Sequence, residues 1–406
     1  MKKKPDIIVV GGGPSGSYAA YVAAKLGASV LVCEEHETIG EPSHCAGHLN
    51  ISSLNNMGIV PPEDAIENRI KGAFFFSPIG KKFELRCNNP VTYVVNRTQF
   101  DRYIAELAKD AGVNYQFKSK VRSLILDSGI IKGVKINRNS ERVESNLVID
   151  AEGCSSAILK KTALKGLKSS MVVRGIEAEL INVEDLDKEM VEVYFGKRFA
   201  PYFFAWIIPK KDGQAKIGLA TRIGDPRVYL QNFIENHPIA SKKLKNAKIT
   251  HKSLHPIPLE GPLTKTYSDG LIVVGDAASQ VKPTTGGGVI FGLTCAKIAG
   301  EVAYESVNRQ DYSESFLASY QSKWKQLVGF DLLTMLRMRR MLDSLSDKKI
   351  DKVIELSNKF GISKVLEKFG DIDFQGRSLI SMVKHPGILA VVGYFLFSWF
   401  ISSERK

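Results

Sequence analysis

Residues 7–16, Ile7-Ile8-Val9-Val10-Gly11-Gly12-Gly13-Pro14-Ser15-Gly16, run an apolar stretch straight into a glycine-rich turn. A short apolar run of this kind reads as a buried strand. Gly11 must turn the chain sharply, Gly13 lets a phosphate approach the backbone, and Gly16 lets the next helix pack on the strand. That helix is expected over the alanine-rich stretch 15–26, with Gly27 as its C-cap. Its N-terminus offers free N–H groups and a partial positive charge to a pyrophosphate. A second strand follows, Ser29-Val30-Leu31-Val32-Cys33, and then Glu34-Glu35. An acid at this distance suits ribose hydroxyls. Glu34, directly after the strand, is the first choice and Glu35 the second.

A matching feature lies far downstream. Leu271-Ile272-Val273-Val274 ends in Gly275-Asp276-Ala277-Ala278. A nicotinamide enzyme has no need of a late Gly-Asp after a strand, so the two motifs together predict one FAD held by both ends of the chain. Asp276 can accept hydrogen bonds from ribityl hydroxyls. Pro283-Thr284-Thr285-Gly286-Gly287-Gly288-Val289 then opens a helix-like stretch, Ile290 to Val302. The dipole of such a helix favours negative charge on a reduced flavin ring.

The chain has 406 residues, enough for a large core and more than one domain. A hydrophobic share of 44% and a mean hydropathy of −0.08 describe a globular protein. Lys2-Lys3-Lys4 leads at once into Pro5-Asp6 and the first strand, which is not a signal-peptide pattern. The five cysteines, at 33, 45, 87, 154 and 295, form no metal-ligand spacing and no disulfide framework. These features predict a cytoplasmic protein without a metal. The net charge of +13 comes without an interleaved basic and aromatic platform, so no nucleic-acid partner is expected. Attraction to anionic headgroups or a phosphorylated substrate fits better. Near the C-terminus, residues 387–401 are uncharged. They are short for a bilayer span, and three readings stay open: a buried helix, an interfacial segment or a short span.

Along the chain, residues 1–35 form a β-α-β unit, and 36–60 read as a loop region containing His44-Cys45-Ala46-Gly47-His48. Residues 71–95 read as hairpin material. A helix is expected from Asn96-Arg97 through Ala111 with Thr98 as N-cap, and strands near 113–126 and 130–136. Leu147-Val148-Ile149-Asp150 is a strand ending in the Asp150-Ala151-Glu152-Gly153 turn. Strands are expected at Met171–Leu180, Val191–Phe195, Phe203–Ile208 and Lys216–Thr221, with helices after residue 300. The implied domains are 1–170 and 261–305 for the nucleotide, 171–260 as an inserted sheet-rich substrate domain, and 306–406 as a helical C-terminal region. The fold class is α/β (α+β): a Rossmann-type FAD-binding domain, an inserted antiparallel sheet domain and a helical C-terminal region.

These features, in this order, resemble the geranylgeranyl reductase family, within the wider group of FAD enzymes shaped like aromatic hydroxylases, and look most like its archaeal members that act on digeranylgeranylglycerophospholipids. The likeness spans about residues 5–300. It rests on Gly11–Gly16, Glu34, Cys45-Ala46-Gly47, Arg97 with Phe100-Asp101-Arg102, Asp150–Gly153, Phe204-Ala205-Trp206-Ile207-Ile208-Pro209, and Gly275-Asp276 with Gly286-Gly287-Gly288. The family usually shows Tyr-x-Trp-x-Phe-Pro where this chain has Phe204 and Ile208, so that tyrosine hydroxyl is missing while the apolar wall survives. Ala46 stands where the family often has glycine. By this resemblance, flavin contacts fall to Ser15, Glu34, Cys45, Ala46, His48, Arg97, Val121, Asp276, Gly288 and Val289. Arg97 offers a forked cation for phosphate or ribose.

The implied reaction saturates isolated carbon–carbon double bonds of an isoprenoid chain, on a geranylgeranyl lipid or diphosphate, with hydride from reduced FAD. Such an alkene has no carbonyl to polarise, so the enzyme must position the bond and exclude water. Phe204, Trp206 and Ile208 are candidates for the substrate wall, and Cys45 for a redox or proton-delivery role. An external electron donor of ferredoxin, deazaflavin or nicotinamide type is implied, as is peripheral contact with the cytoplasmic membrane face. The competing reading is an FAD monooxygenase of the aromatic hydroxylase type. An electron-transfer flavoprotein would need iron–sulfur ligation, for which the cysteines lack the spacing.

Overall fold

The computed structural model describes residues 4–127, 129–137, 141–164, 166–168 and 172–403. Lys2, Lys3 and Met171, used above, lie outside the described residues. The chain divides into two compact units, each assembled from three segments: 1–43, 98–172 and 258–333 in the first, 44–97, 173–257 and 334–406 in the second.

The first unit is built on a six-stranded sheet. Its order is Tyr267–Ser268, Leu271–Val273, Leu147–Asp150, Ile7–Val10, Val30–Cys33 and Asn114–Gln116. All neighbours run parallel except the short edge strand Tyr267–Ser268. Every residue of Ile7–Val10 is buried, as a central parallel strand covered on both faces requires. The helices Pro14–Lys25 and Val289–Arg309 cross closely: a Cβ on Gly300 would lie 2.6 Å from Ala19 O. The early and late motifs are thereby fixed to one another within this unit. A three-stranded antiparallel sheet, Val121–Asp127, Ile130–Ile136 and Glu141–Glu144, completes it.

The second unit carries a seven-stranded sheet in the order Lys248–Pro258, Val172–Ile181, Ala215–Thr221, Ala205–Pro209, Met190–Tyr194, Gly72–Phe76 and Lys82–Arg86. One face packs Ile176, Ala178, Ile207, Ile217, Leu219 and Tyr194 against Leu230 and Phe233 of the helix Pro226–Asn236. This unit differs from the single expected stretch 171–260. Gly72–Phe76 joins its sheet by parallel pairing with Met190–Tyr194, and the segment 334–406 belongs to it too.

Three local expectations are corrected. Thr92–Val95 does not continue the hairpin of Gly72–Phe76 and Lys82–Arg86; it forms a separate sheet with His48–Asn50 and Ile66–Ile70. The region 36–60 is not all loop, since it contains that strand and the helix Ile51–Asn56, capped by Asn50. Thr98 is not an N-cap: the helix already begins at Arg97, and the Thr98 hydroxyl donates to Gly40 O at 3.0 Å.

The apolar C-terminal run lies on the helix Pro386–Ser403. Ile388, Val391 and Val392 pack with Ile354, Ile362, Val365 and Met382, while Leu389, Leu396 and Phe397 are exposed. Among the described residues no single helix is long and apolar enough to cross a membrane; Gln375–Met382 and Pro386–Trp399 pass that test only as a pair bent by 119°.

Candidate functional site

In the first unit the strand Ile7–Val10 delivers the chain to Gly11 at φ +94°. A side chain there would be strained, and its Cβ would fall 2.5 Å from Ala151 O. A Cβ on Gly16 would lie 2.0 Å from Gly11 O, whereas one on Gly13 would meet nothing within 4 Å. Gly11 and Gly16 are thus locked by packing, and the space over Gly13 is open. Gly13 is the N-cap of Pro14–Lys25 and provides no capping side chain, so first-turn N–H groups face that space.

Glu34 follows the second strand and is buried. Its carboxylate accepts from Gly12 N at 2.7 Å and from His36 N at 2.9 Å, with His36 Nδ1 2.7 Å away. Glu35 is instead ion-paired with Lys120. Of the two acids left open by the sequence, Glu34 is the one tied to the glycine turn. Val121 is buried among Val10, Cys33 and Val148.

The late motif is fixed from behind. Gly275 N donates to Gln280 Oε1 at 2.8 Å, Gln280 Nε2 to Tyr320 OH at 3.0 Å, and Tyr320 OH to Val273 O at 3.0 Å. Trp324 Nε1 donates to Thr266 Oγ1 at 3.0 Å. The helix Glu314–Trp324 therefore holds the turn that presents Asp276. Cys154 Sγ lies 3.6 Å from Asp276 Oδ2, and burial, with the adjacent Asp276 charge, pushes the Cys154 thiol up. A Cβ on Gly288 would approach Asp276 Oδ1 to 2.7 Å. Gly288 is the N-cap of Val289–Arg309, again without a capping side chain.

Ser15 joins the two motifs. Its Oγ would lie 2.8 Å from a Cβ on Gly275 and 2.4 Å from one on Gly292. Gly11, Gly13, Ser15, Gly16, Glu34, Asp276, Gly288 and Val289 thus belong to one constellation with two uncapped helix N-termini. A dinucleotide fits it: open backbone donors for phosphate at Gly13, an acid for ribose at Glu34, and Asp276 before a second helix start. The Asp150–Gly153 turn braces this arrangement. The Glu152 carboxylate accepts from Ala157 N and Ile158 N, each at 2.8 Å. Burial, with the nearby Glu152 charge, pushes the Asp150 carboxyl well above the usual range.

The remaining sequence candidates lie in the second unit. Ala46 packs with Ile70, Val94, Trp206 and Ile208. His44 stacks on His255 with centroids 3.8 Å apart, and His48 Nε2 is 2.6 Å from Thr92 Oγ1. Cys45 is half-buried between them in sequence. Phe204 stacks on Phe203 at 4.2 Å and meets Trp206 edge-on at 6.0 Å. The Trp206 ring lies over Gly218, where a Cβ would be 2.4 Å from its Cζ2. Its Nε1 is buried with no hydrogen-bond partner among the described residues. Arg97 opens its helix and bears electrostatically on Glu177.

Sequence reading missed Gln280, Tyr320 and Cys154, whose polar atoms look unremarkable until the fold closes around the late motif. It also missed a buried charge cluster. Lys216 Nζ and Lys210 Nζ each lie 2.8 Å from the Glu67 carboxylate, and Lys210 reaches Glu179 at 2.9 Å. Lys216 aims a hydrogen bond at Val95 O, 3.1 Å away. Burial alone would push the Glu67 carboxyl up, but Lys216 and Lys210 outweigh it and hold it down.

Residues 4–326 match the family model described as FAD binding domain. The chain is 39% identical over 354 residues to the digeranylgeranylglycerophospholipid reductase of Methanocaldococcus jannaschii, covering 86% of this chain and 90% of the relative. It is 36% identical to digeranylgeranylglycerophospholipid reductase 2 of Methanothermobacter thermautotrophicus, covering 86% and 91%. The crystal structure of a geranylgeranyl bacteriochlorophyll reductase-like protein from Thermoplasma acidophilum superposes with a TM-score of 0.84 at 29% identity, over 97% of this chain and 99% of that one. With the paired motifs, the FAD-binding match and this degree of identity, the chain belongs to the FAD-dependent digeranylgeranylglycerophospholipid reductase family.

Proposed function

We propose that this protein saturates the carbon–carbon double bonds of geranylgeranyl chains in archaeal-type membrane lipid precursors. The observation that carries the reading is the joining of both FAD motifs at Ser15, in a chain whose relatives are named for that reaction. Bound FAD would supply the hydride. Gly13 and the first turn of its helix hold the pyrophosphate by backbone donors, Gly11 and Gly16 shape that turn, Glu34 holds the ribose, and Asp276 takes the ribityl hydroxyls beside Gly288 and Val289. Val121, Cys45, Ala46, His48 and Arg97 are assigned to the same cofactor by family resemblance. Phe204, Trp206 and Ile208 present an apolar wall to the isoprenoid chain, where positioning and exclusion of water replace polar activation. An external donor of ferredoxin, deazaflavin or nicotinamide type renews the reducing equivalents. Anaerobic incubation of chemically reduced protein with a geranylgeranyl glycerophospholipid should add two hydrogens per double bond, read by mass spectrometry. Oxygen-dependent hydroxylation of an aromatic compound instead would sink the reading.

The substrate is a membrane lipid, and the C-terminal helix supports docking at its surface. Leu389, Leu396 and Phe397 are exposed on one side of Pro386–Ser403, with Ile380 and Val383 exposed nearby. Arg377 and Lys384 are exposed next to them. Apolar side chains flanked by cations suit an anionic interface. Burying one large apolar side chain is worth about 1.5–3 kcal/mol, so Leu396→Glu with Phe397→Glu should weaken flotation with anionic vesicles at least about tenfold. Unchanged flotation would remove this helix from the contact.

A further inference from the structure

Reduction of an isolated alkene needs a proton as well as a hydride, and of the residues named so far only Cys45, half-buried and offered from the sequence alone, was put forward to deliver it. One row of the second unit's sheet contains Glu177, Gly218, Trp206 and Val193, paired in that order across four adjacent strands. Directly paired residues present their side chains on one face. Glu177 is therefore on the face of Trp206, separated from it only by a glycine over which the indole lies. Its side chain is enclosed by protein yet partly accessible. Around it stand Lys216 on the neighbouring strand, Glu179 two residues along its own strand, Arg97 after Thr92–Val95, and Glu67 on Ile66–Ile70 with its partner Lys210.

We infer that Glu177 is the acid of the reaction, giving its proton to the CH carbon of a trisubstituted double bond held against Trp206. The inference rests on the reductase reading above. The Glu177 O–H bond breaks, and the alkene π pair forms the new C–H bond. Positive charge then develops on the methyl-bearing carbon, where the faces of Trp206 and Phe204 can stabilise it, and the hydride supplied by reduced FAD completes that carbon. The product gains two hydrogens. Glu177 is left as a carboxylate near Lys216 and Arg97 and is reprotonated from solvent. Burial pushes its carboxyl up to about 7; Lys216 and Arg97 pull it down, while Glu179 and Glu67 push it up. The group is thus poised to give a proton near neutrality.

Glu177→Gln should keep its yellow flavin and lose about 10²–10⁴-fold in the rate of lipid reduction, the usual weight of a general acid. Wild-type turnover should decline as pH rises past about 7, because the active form is protonated. In protein stripped of flavin, an infrared carboxyl signal should vanish over the same pH range and be missing from Glu177→Gln. Removing the Glu179 charge should lower the Glu177 pKa, so Glu179→Gln should move the turnover decline to lower pH; this variant decides the matter if Glu177→Gln does not fold. A Glu177→Gln enzyme as fast as wild type, an unchanged infrared titration, or a decline that Glu179→Gln leaves in place would overturn the assignment alone. A wild-type protein that never hydrogenates the lipid would overturn the reading beneath it.

Discussion

Gly13→Val should yield folded, colourless protein. The backbone at Gly13 is at φ −64°, ψ 178°, extended and open to valine, and a Cβ there meets no protein atom within 4 Å. The added methyls instead fill the space in front of the first-turn N–H groups of Pro14–Lys25, where a pyrophosphate must come. Flavin absorbance should fall to background while the variant melts where flavin-stripped wild type melts, because only the ligand's mass-action contribution is lost. Gly16→Val gives the contrasting result. Its Cβ would lie 2.0 Å from Gly11 O, so the helix must move off the strand and the protein should be unstable with or without flavin. A yellow Gly13→Val protein would remove the glycine turn from the site.

Acid should weaken the second unit through His237. The ring sits among Tyr194, Phe199 and Phe233, with centroids 4.8, 4.8 and 5.0 Å away. Its Nδ1 accepts from Ala240 N at 3.1 Å and Ile239 N at 3.3 Å, and its Nε2 is buried without a hydrogen-bond partner among the described residues. A proton on Nδ1 would break both bonds and leave a cation in an apolar box. Burial accordingly lowers the His237 pKa to about 4. An unfolded chain titrates its histidines near 6.5 and binds the proton first. Stability is therefore intact above about pH 6.5 and is lost as pH falls toward 4, by up to about 3 kcal/mol. The urea midpoint should drop across that window. His237→Asn keeps an acceptor atom at the Nδ1 position without the basic ring. It should start less stable at pH 7 and show a flatter dependence; a slope as steep as wild type would clear His237 of the effect.

The two FAD motifs were legible because their chemistry is local: a strand, a turn of set geometry and a helix start follow one another within a single short stretch, 7–16 in one case and 271–289 in the other. Strands such as Val191–Phe195 and Lys216–Thr221 were also visible to within a residue or two at each end, from their alternation. The make-up of the second sheet was not. The pairing of Gly72–Phe76 with Met190–Tyr194 joins segments over a hundred residues apart and leaves no local mark. The charged cluster was hidden for a related reason. Glu177 and Lys216 each stand between apolar neighbours in a strand, and Glu67 stands in the polar middle of Ile66–Ile70, so all three read as solvent-facing. Only when Ile66–Ile70 and Thr92–Val95 pack near that face does Lys216 become buried. The thiol at Cys154 and the hydroxyl at Tyr320 gain meaning only from the late motif they meet in space.

The hydrogen bonds running from Trp324 and Tyr320 back to Thr266, Val273 and Gln280 bear on how such proteins can exchange parts. A hybrid of two relatives spliced at Arg309, where the long helix ends, would give Gln280 and Thr266 partners shaped for another chain, at about 1 kcal/mol for each mismatched bond. Splicing beyond Trp324 keeps native anchors on both sides of the join, so recombination between family members should be tolerated there and selected against upstream.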